Sequence, residues 1–170
     1  MTETKHSVLM RDIIIKFHPR FKTNDEIKKF ALKYPDSFNV EHLVEECFPT
    51  IGKFKFVDGI GYDNSDYSED KTASIRLRPL SKNTYAGEIS GVSRANGNEK
   101  IGALRCIIYN PHTESLKFYF LPKKVWKNMI TIHPTSKIGK IVFSYNLKKD
   151  TIRKFEGFEC KSFRQLALAN

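Results

Sequence analysis

The sequence predicts a domain of the α/β or α+β class, in which a central mixed or largely antiparallel sheet lies between N-terminal helices and one C-terminal helix. Three observations predict this class. Helical apolar patterns fill residues 1–50, alternating strand patterns follow from residue 54, and a helical pattern returns at the end of the chain. No Gly/Ser-rich linker or internal repeat divides the 170 residues, so we expect one domain. It comprises a helical front (1–50), a sheet core (54–127) and a basic hairpin and helix (137–170).

The helical front contains two well-marked helices. Thr23 and Glu26 form a capping box, in which each side chain accepts a backbone N–H that the helix leaves unpaired. Asn39 caps the second helix, and Pro49 is expected to stop it. Residues 8–17 hold a short apolar run, which fits either a helix or a buried strand.

The sheet core is predicted from alternating apolar and polar residues with turn residues between them. A turn is expected at Asn96-Gly97-Asn98 and a short helix at 122–126. A late hairpin and a closing helix at 161–169 complete the domain. The predicted strands are 54–60, 72–78, 84–92, 101–109, 116–121 and, in the late hairpin, 140–145 and 151–155.

Charge is the most informative part of the composition. Lysine and arginine outnumber aspartate and glutamate by 29 to 19, which gives a net charge of +10. Residues 36–70 carry two bases and nine acids, whereas residues 71–170 carry nineteen bases and six acids. An acidic segment in a basic protein is typical of an enzyme that collects a metal ion with carboxylates and holds phosphates with Lys and Arg. A solvated acidic surface without chemistry explains the same charges. The cysteines and histidines show no CxxC or HExxH spacing.

The densest polar cluster is the segment 62–72, YDNSDYSEDKT, which contains the acid-x-Lys tripeptide Glu69-Asp70-Lys71. Side chains two residues apart on a strand share a face, so Glu69 and Lys71 can meet one phosphate. Asp63 and Asp66 lie just upstream. In a metal-dependent nuclease, carboxylates bind Mg²⁺ and a lysine offsets the charge that develops on the phosphate. A plain solvated loop is the alternative.

The strings GYDNSDYSEDKTASI, YAGEISGV and KIGALRCIIYNPHTESLKFYFLPKKVW together resemble the core of phage-associated nucleases of the PD-(D/E)xK type, including homing and restriction endonuclease-like proteins. The resemblance implies an endonuclease-like fold and a Mg²⁺ cofactor. It assigns Asp63 or Asp66 as the first metal-binding acid, Glu69 as the second metal-binding acid and a catalytic group, and Lys71 as the catalytic lysine. A helix carboxylate, Glu45 or Glu46, would complete the site. In that family the first acid and the tripeptide usually occupy different strands, farther apart than here.

Basic residues interleaved with aromatic residues indicate nucleic-acid binding independently of that resemblance. Lysines attract phosphates, and arginines can read guanine edges. Tyr119 is expected on the opposite strand face from Phe118 and Phe120, where it would contact solvent or DNA. Arg76 and Arg78 are expected to share one strand face beside the acidic segment. The predicted DNA-binding residues are Arg76, Arg78, Lys82, Lys117, Tyr119, Lys123, Lys124, Lys148, Lys149, Arg153 and Lys154.

These observations predict a protein that binds double-stranded DNA sequence-specifically on an endonuclease-like core. The resemblance extends to repressors that mobile elements derive from homing endonucleases, and a homodimer is expected because palindromic targets mirror two-fold symmetry. The alternatives are an active Mg²⁺-dependent homing or restriction-type endonuclease and a basic protein-binding inhibitor or scaffold. No run of eighteen apolar residues or signal-peptide pattern occurs, so we expect a cytoplasmic protein that does not span a membrane.

Overall fold

The computed structural model describes residues 3–59, 62–94 and 100–170. Helices dominate the first fifty residues, as the capping signals predict. The Thr23 capping box is present, because Thr23 Oγ1 accepts from the Glu26 N–H and Glu26 accepts from the Thr23 N–H. The helices are α1 (Lys5–Phe17), α2 (Asn24–Lys33), α3 (Val40–Glu45), α4 (Phe48–Ile51), α5 (Lys123–Trp126) and α6 (Phe163–Leu168).

The strands form a small sheet and a large one. The strands are β1 (Phe56–Gly59), β2 (Tyr62–Asn64), β3 (Ser68–Ser81), β4 (Thr84–Arg94), β5 (Ala103–Asn110), β6 (Ser115–Pro122), β7 (Thr131–Ile132), β8 (Ile138–Asn146), β9 (Thr151–Ile152) and β10 (Glu159–Cys160). Strands β1 and β2 pair with each other. The other eight form a mixed sheet in the order β10-β6-β5-β3-β4-β8-β7, with β9 paired to β8. Strand β3 is parallel to β5, and every other pair is antiparallel. The predicted α+β class, with a mixed sheet and helices at both ends, is confirmed.

Two apolar clusters cover opposite sides of the central strands. Alternate residues of β5 divide between them, since Leu104, Cys106 and Ile108 belong to the first cluster and Ile107 to the second. The first cluster also contains Trp126 and residues of β4 and β8. The second joins the sheet to α1, α3 and α6. The helical front is therefore part of the same folded unit as the sheet.

The structure decides one choice that the sequence left open and corrects two local predictions. Residues 8–17 lie within helix α1, and Met10 and Ile14 are fully buried on one side of it. Pro49 does not stop a helix; it lies in the first turn of α4, where a proline's missing N–H is tolerated. The second strand of the late hairpin is shorter than predicted, because β9 gives way to a 3₁₀ turn at Arg153–Phe155.

The predicted strand residue Ile60 and the predicted turn at Asn96-Gly97-Asn98 lie outside the described residues. Among the residues that the structure does describe, no helix is long and apolar enough to cross a membrane.

Candidate functional site

The acidic segment folds so that its charged groups come from two strands. Asp63 lies on β2, whereas Glu69 and Lys71 lie on β3. Asp63 Oδ2 accepts the backbone N–H of Asp70 at 2.8 Å, which fixes β2 against the start of β3. Lys71 Nζ lies 2.5 Å from Glu69 Oε1. These residues are close in sequence, but the structure places them on two different strands.

Helix α3 adds a third carboxylate to this group. The pKa of Glu45 is raised to about 8, first by burial and then by the nearby charges of Asp63 and Glu69, against the opposing effect of Lys71. Burial also raises the pKa of Glu69, again against the effect of Lys71. The acid-lysine cluster is hereafter Glu45, Asp63, Glu69 and Lys71.

Glu46, the other helix carboxylate that the sequence left open, contacts the end of α1 and shares His42 with Glu45, whose Oε2 lies 3.6 Å from His42 Nδ1. Its Oε2 lies 2.7 Å from Nε2 of the fully buried His18, and its Oε1 lies 3.2 Å from His42 Nε2. The Nδ1 of His18 accepts the Arg20 N–H, so a neutral His18 donates from Nε2 to Glu46. Glu46 thus anchors α3 to the end of α1, and Glu45 is the one that faces the cluster.

Asp66 is separated from the acid-lysine cluster by its hydrogen bonds. Its carboxylate accepts from the Ser68 N–H and hydroxyl and, at 2.8 Å, from Nη2 of Arg105. Burial raises the pKa of Asp66, but the bonds from Arg105 and Ser68 outweigh it, and the net pKa lies below the usual value. The prediction that Asp66 is a metal ligand is therefore not supported by its position, because its oxygens already hold Arg105 and the turn before β3.

A buried polar network lies behind the cluster. Arg105 on β5 is 1% exposed and donates to Ser68 Oγ and to the carbonyl oxygens of Leu166 and Ala169. Asn64 Nδ2 donates to Ser68 Oγ and, at 2.9 Å, to Asp70 Oδ2. Burial raises the pKa of Asp70 well above its usual value, against the effect of the Asn64 hydrogen bond. This network ties β2, β3, β5 and the end of α6 together.

Sequence reasoning missed Arg105 and Asn64. A signal for Arg105 exists, since it is the single charged residue in the otherwise uncharged run of β5, ALRCIIYN. A charge in a strand with apolar neighbours on both sides is buried and paired if the strand is central.

Gly91 on β4 shapes the surroundings of Lys71. Its φ is +63°, and the pairing of β4 with β8 shifts between Ile89 and Ser93, which is typical of a β-bulge. A Cβ at Gly91 would lie 3.9 Å from Lys71 Nζ, so the bulge brings the β4 backbone beside the lysine.

The cluster offers the donor chemistry that Mg²⁺ prefers, since Glu45, Asp63 and Glu69 supply carboxyl oxygens, although Glu45 would have to release its proton to bind the ion. Asp63 and Glu69 each keep one oxygen that accepts no hydrogen bond from the described residues. However, these three side chains are not arranged around a common position. Within residues 3–59, 62–94 and 100–170, no three His, Cys, Asp or Glu side chains are placed around one metal position.

The predicted DNA-binding residues do not form one surface, and Tyr119 is buried. Tyr119 is 2% exposed and packs against Phe155, so the prediction that it faces solvent or DNA is wrong. Its strand is covered on both faces, because Phe118 and Phe120 contact the second apolar cluster while Tyr119 belongs to the first.

Two predicted cations lie at the end of the sheet that carries the acids. Lys123 and Lys124 follow Pro122, which pairs with Ala103, and Ala103 pairs with Ser68 at the start of β3. Lys123 is half-buried and Lys124 is exposed.

The other predicted cations lie along the sheet or at its opposite end. Arg76 and Arg78 are exposed, but Arg76 follows the buried Ile75 and points away from the face of Glu69 and Lys71. The pairing of β3 with β4 is irregular between Ile75 and Pro79, so the alternation expected for Arg76 and Arg78 is interrupted there.

Lys117 is paired with Asp150 at 2.8 Å. Lys82, Lys148, Lys149, Arg153 and Lys154 are exposed, and Lys154 donates to the Val142 carbonyl at 2.5 Å.

Comparisons with protein-family models, curated protein sequences and solved structures found no significant match to this chain.

Proposed function

We propose that this protein binds duplex DNA and cleaves it as a divalent-cation-dependent endonuclease. The observation that supports this most strongly is the convergence of Glu45, Asp63 and Glu69 with Lys71, from α3, β2 and β3. Carboxylates with perturbed pKa values that share one place with a lysine are typical of functional sites.

The electrostatics of the cluster favour a cutting site over a plain binding surface. Three carboxylates repel one another, and a polyanion brought beside them is repelled too. The pKa of Glu45 is raised to about 8 mainly by burial, and the charges of Asp63 and Glu69 add to the shift. A divalent cation would relieve both repulsions, because it binds carboxylates and phosphate oxygens together.

Each residue has a defined task in this proposal. Glu45, Asp63 and Glu69 would hold Mg²⁺, with Glu45 releasing its proton, and the ion would neutralise charge on the phosphoryl oxygens. Lys71 keeps an ammonium group beside the reacting phosphate and offsets the negative charge that builds up in the transition state. Asn64 and Asp70, on the buried side of the same strands, keep β2 and β3 in register.

The second candidate is a duplex-DNA-binding protein of the repressor type that does not cut. It is favoured by one observation: among the described residues, no three potential ligands already surround a metal position. In either case we propose a homodimer, because palindromic sites match a two-fold axis, and sedimentation of the purified chain measures this directly.

Plasmid cleavage with Mg²⁺ or Mn²⁺ tests the proposal. The wild type should nick or linearise supercoiled DNA, and Glu69→Gln and Lys71→Ala should each lower the rate roughly a hundredfold or more. The exposed Glu156 and Lys161 provide the matched controls Glu156→Gln and Lys161→Ala, which should cut normally. A wild type that binds duplex DNA but never cuts supports the second candidate. Absence of salt-dependent duplex binding would overturn both and favour a protein-binding scaffold.

A further inference from the structure

Two neighbouring turns project from the end of the large sheet that is opposite the acid-lysine cluster. The β3–β4 turn and the β8–β9 turn are joined by the bond from Leu147 N–H to the Asn83 carbonyl at 2.8 Å and by the pairing of Thr84 with Asn146. We define the tip surface by the exposed residues of these turns and of the strand that leads into them, Leu77, Arg78, Leu80, Lys82, Lys148 and Lys149.

The cations of the tip surface lack neutralising partners. The acid in these turns, Asp150, is already bound by Lys117 at 2.8 Å and by the Tyr145 hydroxyl at 2.7 Å. Among the described residues, the side chains of Arg78, Lys82, Lys148 and Lys149 form no ion pair. By contrast, Lys71, Arg105 and Lys140 are all paired with acids. Four unpaired cations on two adjacent turns create a local positive potential that attracts a polyanion.

Apolar side chains lie among these cations. Leu77 is 71% exposed and Leu80 is 62% exposed, on the same strand end as Arg78. Covering these two leucines with a partner would remove apolar surface from water, which is favourable. Proteins that grip DNA place such side chains against the sugars and base edges of a groove while neighbouring cations hold the phosphates.

The tip surface lies within one helical turn of B-DNA of the acid-lysine cluster. Lys82 follows Lys71 by eleven residues. This length of extended chain spans at most roughly 36 Å at about 3.3 Å per residue. One turn of B-DNA is about 34–36 Å. A duplex that runs along β3 with a phosphate at the acid-lysine cluster therefore reaches the tip surface within about one helical turn.

We infer that the tip surface binds the same duplex DNA as the acid-lysine cluster, within about one helical turn of it. This inference rests on the proposed function, because it places a second contact on the same DNA. Its phosphate contacts come from Arg78, Lys82, Lys148 and Lys149, and its groove contacts come from Leu77 and Leu80.

A duplex-length and salt series tests it, with helix α2 as the matched control. The tip variant is Lys82→Ala/Lys148→Ala/Lys149→Ala, and the control variant is Lys28→Ala/Lys29→Ala/Lys33→Ala, which removes three exposed lysines from α2. We expect the tip variant to flatten the slope of log K against log[salt] by about 0.9 for each lost phosphate contact, and the control to leave it unchanged. Wild-type affinity should rise from 10 to 24 base pairs, and that rise should disappear in the tip variant.

A second pair of variants tests the leucines. Leu80→Ser should weaken binding to the longer duplexes, and Leu32→Ser, at a leucine that is 83% exposed on α2, should not. Equal salt slopes and equal length dependence for tip and control variants would overturn the inference while leaving the proposed function intact. Failure of the wild type to bind any duplex would overturn the proposed function itself. Loss of binding to phosphatidylserine vesicles, with DNA binding unchanged, would assign the tip surface to a lipid headgroup and overturn the inference.

Discussion

Arg105 and Asp66 are joined at 2.8 Å, although 38 residues separate them in the chain, and this pair holds the turn between β2 and β3. Arg105 is 1% exposed, whereas the Asp66 side chain is 33% exposed. Losing its partners would therefore cost the buried arginine more free energy than it would cost the aspartate, because water can still solvate the Asp66 carboxylate.

Arg105→Met should lower the free energy of unfolding by about 3–5 kcal/mol, because it leaves Asp66, Ser68 and two carbonyl oxygens without their buried donor. Asp66→Asn should lower it by about 1–3 kcal/mol. Urea unfolding at pH 7 measures both, and Arg164→Met, at an exposed arginine of α6, is the control. Equal effects at Arg105 and Arg164 would contradict the buried network.

Glu45 should make stability depend on pH in a direction opposite to that of a salt-bridged acid. The folded protein keeps the Glu45 proton up to a pKa of about 8, whereas the unfolded chain releases it near the ordinary value of about 4.5. Protons are then bound preferentially by the folded state between these values, so this group makes the protein less stable as pH rises through that window.

Glu45→Gln should remove that contribution. Relative to the wild type, the variant should be equally stable near pH 4 and more stable at pH 8, by an amount on the order of a few kcal/mol. Urea unfolding from pH 4 to 8.5 in EDTA measures the difference, with Glu156→Gln as a control at an exposed carboxylate. A difference in stability that does not grow with pH would show that folding does not raise the pKa of Glu45.

Tyr119 should matter for folding and not for DNA binding. Tyr119→Phe keeps the ring that packs against Phe155, so its affinity for duplex DNA should equal that of the wild type. Tyr119→Ala should lower the free energy of unfolding by roughly 3–5 kcal/mol, because it opens a cavity in the first apolar cluster. Thermal unfolding and a duplex-binding titration of both variants separate the two roles. A loss of affinity in Tyr119→Phe without a loss of stability would restore the tyrosine as a DNA contact.

The elements that local patterns predict are largely present. The capping box at Thr23, the cap at Asn39 and the turn chemistry between β5 and β6 act through bonds between residues close in sequence. Sequence periodicity reads such local signals well. It left residues 8–17 undecided, because the choice between helix and strand there depends on packing against the rest of the chain.

The errors arise where a distant segment decides the outcome. Alternation along β6 predicts one buried face, but Phe155 covers the other face, and it comes from a turn 36 residues after Tyr119. The sequence does not distinguish the roles of Asp63 and Asp66. The structure distinguishes them, because Arg105 binds Asp66. The proposed roles of these acids, of Mg²⁺ and of DNA remain predictions.

The choice between Asp63 and Asp66 can be decided by comparing their amide variants. Asp63 lies with Glu45 and Glu69 in the acid-lysine cluster, whereas Asp66 holds Arg105. If the cluster cleaves DNA, Asp63→Asn should lower the single-turnover rate with Mg²⁺ roughly a hundredfold or more, because it removes a charge at the reacting phosphate. Asp66→Asn should keep most of that rate and should instead lose stability, so both variants are assayed well below their unfolding temperatures. Circular dichroism checks that each is folded. A larger rate loss in Asp66→Asn than in Asp63→Asn, with both proteins folded, would show that the assignment is reversed.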